Sequence, residues 1–442
     1  MAMKLEIIGK ELIKPASPMP NHLRTLQLSL SDFCSPPIYV IGIFFYDTED
    51  HIISKEIVSL RLKKSLSEIL TRFYPLAGRV EGVSINCNDE GAVFMEARTD
   101  SLLSEFLRNP VRESFEQVVP SDISKPLETS PLLNVTVIYF RSGGLAIAVS
   151  ISHKVFDASS LSWFVNMWAT TARGYGDSLN PPEFAETTIF PPADLSMIFR
   201  PPKKEDSDSK RVCISWQRFF FDAFKIKELK RRAASETVQN PTRVEVVTTF
   251  IWKCATKAMR SNSIPRRPSF MRQAMDIRRK SSATYISENM FGNLVLPLAV
   301  VEGPESEMDI TEVVAKLRKK KEEVSEKIRE ILQLDRSSPE LHEKVKELRA
   351  KLLSDITLDT RSHPITSWCG FPFYEADFGW GRPVWFATGR HIVFEMGFTC
   401  ITDTKDGQGI EAWVTLPEQD MLVFEHDPEL LAVATPNPSV LV

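Results

Sequence analysis

The chain has 442 residues, of which 43% are hydrophobic and 25% are charged, so it has the composition of a soluble globular protein with two or three domains. Its 54 Lys and Arg residues nearly balance its 58 Asp and Glu residues, which disfavours a dedicated nucleic-acid-binding or anionic-membrane-binding protein. No apolar segment approaches the roughly 20 residues that a membrane helix needs, and the polar first residues do not resemble a signal peptide. We therefore expect a cytoplasmic protein with no nucleic-acid or membrane partner.

The six cysteines are scattered and form no C-x-x-C pair, so the sequence indicates neither a thiolate zinc site nor a redox motif. We expect buried free thiols in a reducing compartment. The sequence also lacks G-x-S-x-G, G-x-G-x-x-G, Walker-type and H-E-x-x-H motifs. These absences disfavour elbow-type serine hydrolases, dinucleotide enzymes, P-loop nucleotidases and zincins, and we expect neither a bound metal nor a permanently bound cofactor.

In chain order, residues 5–13 and 38–46 have the pattern of strands, and residues 57–73 have apolar side chains at helical spacing. The apolar face predicted for this helix consists of Leu60, Leu62, Leu66, Ile69 and Leu70. Two strand-like runs, 135–140 and 145–152, are joined by Arg141-Ser142-Gly143-Gly144, which predicts a hairpin. A helix with one apolar face is predicted next, ending near Gly174.

Residues 175–211 contain three Pro-Pro pairs and a short charged run, which predicts a crossover between two domains. In the second half we predict strands at 218–221, 391–399 and 410–416, and helices at 225–233, at 246–259 and, rich in Lys and Glu, over 310–353. The apolar positions of that last segment are Val313, Leu317, Val324, Ile328 and Ile331. The predicted division is therefore residues 1–174, the crossover 175–211, and residues 212–442.

Of the seven histidines, only His153 lies where a predicted strand meets a predicted helix, in the sequence His153-Lys154-Val155-Phe156-Asp157. This H-x-x-x-D pattern could supply a catalytic base. It could equally be a core histidine at a strand end, with Asp157 capping the helix that follows. The pattern alone does not decide between the two.

A second motif, Asp377-Phe378-Gly379-Trp380-Gly381, contains no obvious nucleophile or base. Two glycines around a tryptophan permit a tight turn, and Asp377 can bind an arginine or the backbone. We interpret this motif as a structural loop.

These two motifs, in this order and about 220 residues apart, resemble the plant BAHD acyl-CoA-dependent acyltransferase family, and most closely its alkaloid O-acetyltransferase branch. Supporting matches extend the resemblance over almost the whole chain: 28–32 (LSLSD), 74–79 (YPLAGR), 251–253 (IWK) and 366–369 (TSWC). The resemblance implies an α/β fold of two chloramphenicol-acetyltransferase-like domains, joined by a long crossover, with a channel between them. It also implies a monomer.

In this family the histidine is the general base in mid-channel, reached by acyl-CoA from one mouth and by the alcohol acceptor from the other, so the resemblance assigns that role to His153. Asp157 would turn away from His153 and pair with Arg278. Thr366 and Trp368 would donate hydrogen bonds to the oxyanion, unless they are simply a buried aromatic ring with a hydroxyl beside it. Asn293 would help shape the channel, and the structural loop would comprise Asp377, Gly379, Trp380 and Gly381.

The phosphates of CoA require cations. The candidates are Lys253, Lys257 and Arg260, together with Arg243, and the alternative is that these side chains are ordinary solvated charges. The chain departs from the family pattern at Ala158, where glycine is usual. The Tyr-Phe-Gly-Asn-Cys signature of anthocyanin malonyltransferases reads Met-Phe-Gly-Asn-Leu at 290–294, which disfavours a malonyl donor.

The function predicted from these residues is acetyl transfer from acetyl-CoA to a hydroxyl of a plant alkaloid or terpenoid. One alternative is a malonyl-CoA or aromatic acyl-CoA transferase acting on a glycoside or another alcohol. Another is a non-catalytic relative that binds small molecules in the channel.

Overall fold

The computed structural model describes residues 3–47, 54–110, 115, 117–118, 130–141, 143–192, 213–262, 266–278, 286–287, 289–335, 338–354, 361–389 and 397–440. Residues 193–211 of the predicted crossover and 391–396 of a predicted strand lie outside these ranges, as does Ser142 of the predicted hairpin turn.

The strands are β1 (Glu6–Ile13), β2 (Thr25–Gln27), β3 (Tyr39–Tyr46), β4 (Arg79–Glu81), β5 (Ser84–Asn86), β6 (Ala92–Arg98), β7 (Leu133–Tyr139), β8 (Leu145–Ser152), β9 (Ile214–Phe221), β10 (Ser269–Asp276), β11 (Val295–Glu302), β12 (Arg361–Ser367), β13 (Trp385–Thr388), β14 (Phe398–Asp403), β15 (Ile410–Pro417) and β16 (Thr435–Pro436). The α-helices are α1 (Leu30–Cys34), α2 (Lys55–Arg72), α3 (Leu103–Arg108), α4 (Ala158–Ala172), α5 (Ala223–Ala233), α6 (Arg243–Ser261), α7 (Ile310–Ile331), α8 (Pro339–Ser354), α9 (Glu418–Phe424) and α10 (Pro428–Val433).

The first half of the chain builds a mixed sheet whose described strands lie in the order β1-β6-β7-β8-β3-β13. Every residue of β3, β7 and β8 is buried, because these runs of aliphatic and aromatic residues are covered on both faces. The predicted hairpin is present as the antiparallel pair β7–β8, and α2 packs against α4 beside the sheet.

The second half builds another mixed sheet in the order β11-β10-β12-β14-β15-β9-β16. Helices α6 and α7 pack on each other, and α7 and α8 both contact the edge strand β11. The predicted apolar stripe of the Lys- and Glu-rich segment is buried at all five positions, so that segment forms two helices with one face against the domain.

One strand of the second half belongs to the sheet of the first. Residues 385–388 form β13, which pairs antiparallel with β3, with Trp385 opposite Phe45. The rings of these two residues stack at a centroid distance of 5.2 Å. A segment that follows the boundary predicted at residue 212 therefore belongs to the first sheet, and this strand joins the two halves.

Two local predictions are wrong. Leu60 was predicted on the buried face of α2 but is 70% exposed. The buried face of this helix contains Val58, Leu62, Leu66 and Ile69, and residue 60 points away from it to solvent. All six cysteines are free, but Cys34 and Cys213 are exposed rather than buried.

No helix within the described ranges is both long and apolar enough to cross a membrane.

Candidate active site

A cavity of about 150 Å³ lies between the two halves. The first half contributes His153 and residues of the segment before β3, and the second half contributes side chains of β10 and β12. The lining residues are Pro36, Ile38, Val40, His153, Asp157, Ala158, Ser159, Arg272, Ala274, Asp276, Val295, Pro364, Ile365, Thr366, Ser367, Trp368, Phe371 and Phe398. A space of this size holds the reacting ends of two substrates rather than two whole molecules.

His153 follows β8 directly, and its backbone N–H donates to the carbonyl of Ile38 at 2.8 Å, which anchors the turn to the start of β3. Asp157 then caps α4, since its Oδ1 accepts from the backbone N–H of Ser160 at 2.8 Å. The histidine is therefore held between a strand end and a helix start, at the edge of the cavity.

The hydrogen bonds around His153 determine its tautomer. Its Nδ1 lies 3.0 Å from Oδ1 of Asn293. The amide group of Asn293 has a defined orientation, because its Nδ2 donates to Asp32 Oδ1 and to the His153 carbonyl, both at 2.8 Å. An oxygen facing Nδ1 requires a proton on Nδ1, so the neutral ring carries its lone pair on Nε2.

Burial lowers the pKa of His153 below its ordinary value of 6.5, and the nearby Asp157 carboxylate opposes this shift only in part. The ring is therefore neutral at neutral pH. A neutral imidazole with a basic Nε2 can accept a proton from a hydroxyl group.

Asp32 lies behind Asn293, and in the sequence it stands out only as the last residue of the 28–32 match. Its side chain is fully buried and accepts four hydrogen bonds, two from Ser29 and two from Asn293. Ser29 and Asp32 form a capping box at the start of α1, a local signal that the Ser-x-x-Asp spacing carries. Only the tertiary structure brings this helix start to Asn293.

Asp157 is bound to Arg278 rather than to His153. Its Oδ2 lies 2.8 Å from Nη1 of Arg278 and also accepts from the backbone N–H of Leu294 at 3.1 Å. Arg278 is a further donor to Asp276, to Ser160 Oγ and to the carbonyls of Met290 and Gly292. Burial opposes the charge of Arg278, but Asp157 and Asp276 outweigh it and raise its pKa.

Thr366 and Trp368 both line the cavity with His153. Thr366 lies in β12 opposite Cys400, and the backbone N–H of Trp368 donates to the carbonyl of Ile401 at 2.8 Å. Because the two residues are separated by two positions at the end of one strand, their side chains can face the same side. The structure thus brings together the histidine and both candidate donors.

The Asp377–Gly381 loop does not contribute to this cavity lining. Oδ1 of Asp377 accepts from the backbone N–H groups of Gly379 and Gly381, at 2.7 and 3.0 Å. Gly379 has φ +101°, a backbone conformation in which a residue with a side chain would be strained. Trp380 stacks on Phe378 at 5.6 Å, next to Tyr46 of β3.

The cations suggested for the CoA phosphates lie outside the cavity lining and are already engaged. Lys253 pairs with Glu429 at 3.0 Å, and Lys257 pairs with Asp427 at 2.8 Å. Arg260 donates to the carbonyls of Ser306 and Gly303, and Arg243 pairs with Asp403. The phosphate-binding assignment of these residues stays a prediction. In the described part of the chain, no group of three His, Cys, Asp or Glu side chains is placed to hold a metal ion.

Comparison with known proteins agrees with this geometry. The model of the Transferase family matches residues 3–431. The chain is 46% identical to BAHD acyltransferase BIA1 of Arabidopsis thaliana, over all of both chains, and 32% identical to limonoid 21-O-acetyltransferase of Melia azedarach, over 99% of this chain and 100% of the relative. The crystal structure of vinorine synthase superposes with a TM-score of 0.79 at 28% identity, covering 99% of this chain and 100% of the other. The chain is therefore a member of the BAHD family of acyl-CoA-dependent acyltransferases, with the two-domain α/β fold of that family.

Proposed function

We propose that this acyltransferase moves an acetyl group from acetyl-CoA to a hydroxyl of a plant specialised metabolite, an alkaloid or a terpenoid, and that His153 is its general base. The observation that carries the proposal is the Asn293 contact, which leaves the basic Nε2 of a cavity-lining imidazole available. Two similarities support the proposed acceptor class: one relative is a limonoid acetyltransferase, and the sequence resembles the alkaloid branch of the family. The expected cytoplasmic location and monomeric state belong to the same proposal.

The reaction begins with an alcohol, which is a weak nucleophile at neutral pH. Nε2 of His153 accepts the hydroxyl proton while the oxygen forms a bond to the thioester carbonyl carbon. The resulting tetrahedral oxyanion collapses by breaking the carbon–sulfur bond. The imidazolium then returns its proton to the departing CoA thiolate, so that His153 ends neutral and the products are the ester and free CoA.

The oxyanion needs donors that already point at it before the reaction. The hydroxyl of Thr366 and the indole N–H of Trp368 are the donor groups proposed for this role, since both residues line the cavity with the imidazole. Asn293 is proposed as a positioning residue, because it contacts Nδ1 rather than the reacting atoms.

The test is release of free thiol from acetyl-CoA, malonyl-CoA and an aromatic acyl-CoA, each with a panel of alkaloid and terpenoid alcohols and with a no-acceptor control. We expect acceptor-dependent thiol release that is fastest with acetyl-CoA, and an ester product of matching mass. Faster release from malonyl-CoA or the aromatic donor would replace the acetyl assignment. Ligand binding with no turnover for any donor would favour a non-catalytic binding protein.

The pH dependence provides a second test. The reaction requires neutral His153, so kcat/KM should rise as pH increases through the pKa of the free enzyme and then level off. Because burial lowers that pKa, the midpoint of the rise should lie below 6.5. The midpoint should be the same for two alcohols of different acidity, since it belongs to the enzyme. A midpoint clearly above 6.5 for both alcohols would contradict the assignment of His153.

A further inference from the structure

Arg272 is a cation in the reaction cavity with no partner among the described residues. It lies in β10 opposite Ala299 of β11 and Pro364 of β12, on the same strand face as the cavity-lining residues Ala274 and Asp276. Its guanidinium has neither a hydrogen bond nor an ion pair with any side chain or carbonyl that the structure describes.

Three other buried arginine side chains show how this protein normally accommodates such a charge. Arg278 pairs with Asp157, Arg218 pairs with Glu411 at 2.6 Å, and Arg79 pairs with Glu90 at 3.0 Å. A charge removed from water is ordinarily retained only when it is paired. The partly buried Arg272 departs from this rule in the cavity, where a substrate would lie.

The charge nearest in effect to Arg272 is positive, so it does not compensate the positive charge of Arg272. Burial lowers the pKa of its guanidinium, and Arg349 of α8 lowers that pKa further. Arg349 forms no ion pair with a described carboxylate either. A guanidinium stays protonated in proteins, so Arg349, which does not line the cavity, adds a second positive charge to the surroundings of Arg272.

We propose that Arg272 binds an anionic group, a carboxylate or a phosphate, of a substrate whose reacting atom lies at His153. This inference rests on the proposed transferase function and specifies one property of its ligands. The planar guanidinium can form two parallel hydrogen bonds with either kind of group, and Arg349 adds positive potential.

The position along the strand limits which part of the substrate carries the anion. Arg272 lies four residues along β10 from Asp276, which is roughly 13 Å between their Cα atoms at about 3.3 Å per residue. Asp276 binds Arg278, whose other carboxylate partner is the Asp157 cap beside His153. The carboxylate of a malonyl group is only two bonds from the thioester carbonyl carbon, so it would lie beside the reacting atoms. We therefore assign the anion to the acceptor or to the phosphates of CoA, and the comparison of malonyl-CoA with acetyl-CoA below tests this assignment.

The experiment measures binding by titration calorimetry for the full-length protein, for Arg272→Met and for the control Arg231→Met, which removes a charge from an exposed helix position. One pair of ligands is CoA and pantetheine, which lacks phosphates. A second pair is 12-hydroxydodecanoate and its methyl ester. We expect Arg272→Met to reduce the preference for the anionic member of one pair by about ten- to a hundredfold. The preference for malonyl-CoA over acetyl-CoA should not change, and Arg231→Met should match the natural protein.

A loss confined to the first pair identifies a CoA phosphate as the anion, and a loss confined to the second pair identifies an acceptor carboxylate. If neither preference changes in a folded Arg272→Met protein, the proposal is wrong. It is also wrong if only the preference for malonyl-CoA falls. Because binding is measured without turnover, a protein that fails to release thiol but keeps these preferences would refute the proposed function and not the anion site.

Discussion

We expect His153→Ala to reduce kcat/KM for acyl transfer by about 10²- to 10⁴-fold, because the acceptor hydroxyl loses the base that removes its proton. The affinity for CoA should change little, since the imidazole is proposed to act on the acceptor proton. The measurement combines thiol release with CoA binding, so that a loss of chemistry can be separated from a loss of substrate.

The matched control for this variant is His426→Ala, because His426 is an exposed histidine of the same chain. It should keep the activity of the natural protein. The melting temperatures of both variants should be compared with that of the natural protein. Thiol release at the natural rate by a folded His153→Ala protein would exclude His153 as the base and leave the family assignment intact.

The second large effect is expected on stability. Asp157→Ala leaves Arg278 buried without its main carboxylate partner and removes the cap of α4, so unfolding free energy should fall by about 3–5 kcal/mol. Denaturation with urea measures this loss. Asp157→Asn keeps an acceptor at the cap position but not the charge, so most of the loss should remain in that variant.

The control for the buried pair is the exposed pair Arg231–Glu228, where Glu228→Ala should leave the urea midpoint unchanged because solvent screens the interaction. Replacing both Asp157 and Arg278 by apolar residues should recover part of the lost stability, since no unpaired charge then remains. If Asp157→Ala costs less than about 1 kcal/mol, the pair is not a structural element of the site.

The features that sequence reasoning predicted well are local. The β7–β8 hairpin, the helix after Asp157 and the buried stripe of α7 depend on side-chain periodicity and capping within short segments. Of the positions predicted for the apolar face of α2, only Leu60 was wrong, because an apolar residue near that face can still point to solvent.

Contacts between distant segments escaped the sequence because no local pattern specifies them. His153 and Asn293 are 140 positions apart, and the sequence suggested only that Asn293 shapes the channel. The suggested phosphate-binding cations were chosen for charge alone, and no local pattern predicted that Lys253 and Lys257 pair with carboxylates from around the start of α10. The sequence could not distinguish Arg272 from the other arginines, because its lack of a partner among the described residues depends on which residues surround it in the fold.

The sequence by itself determined the fold class and the family, and it placed His153 at a strand end before a capped helix, because these depend on residue types at fixed spacing. Only the tertiary structure decided which nitrogen of His153 carries the proton, which cation of the cavity lacks a partner among the described residues, and that β13 joins the first sheet. These properties depend on which groups meet across the fold, and hydrogen bonding and charge pairing act on distance in space rather than on distance along the chain.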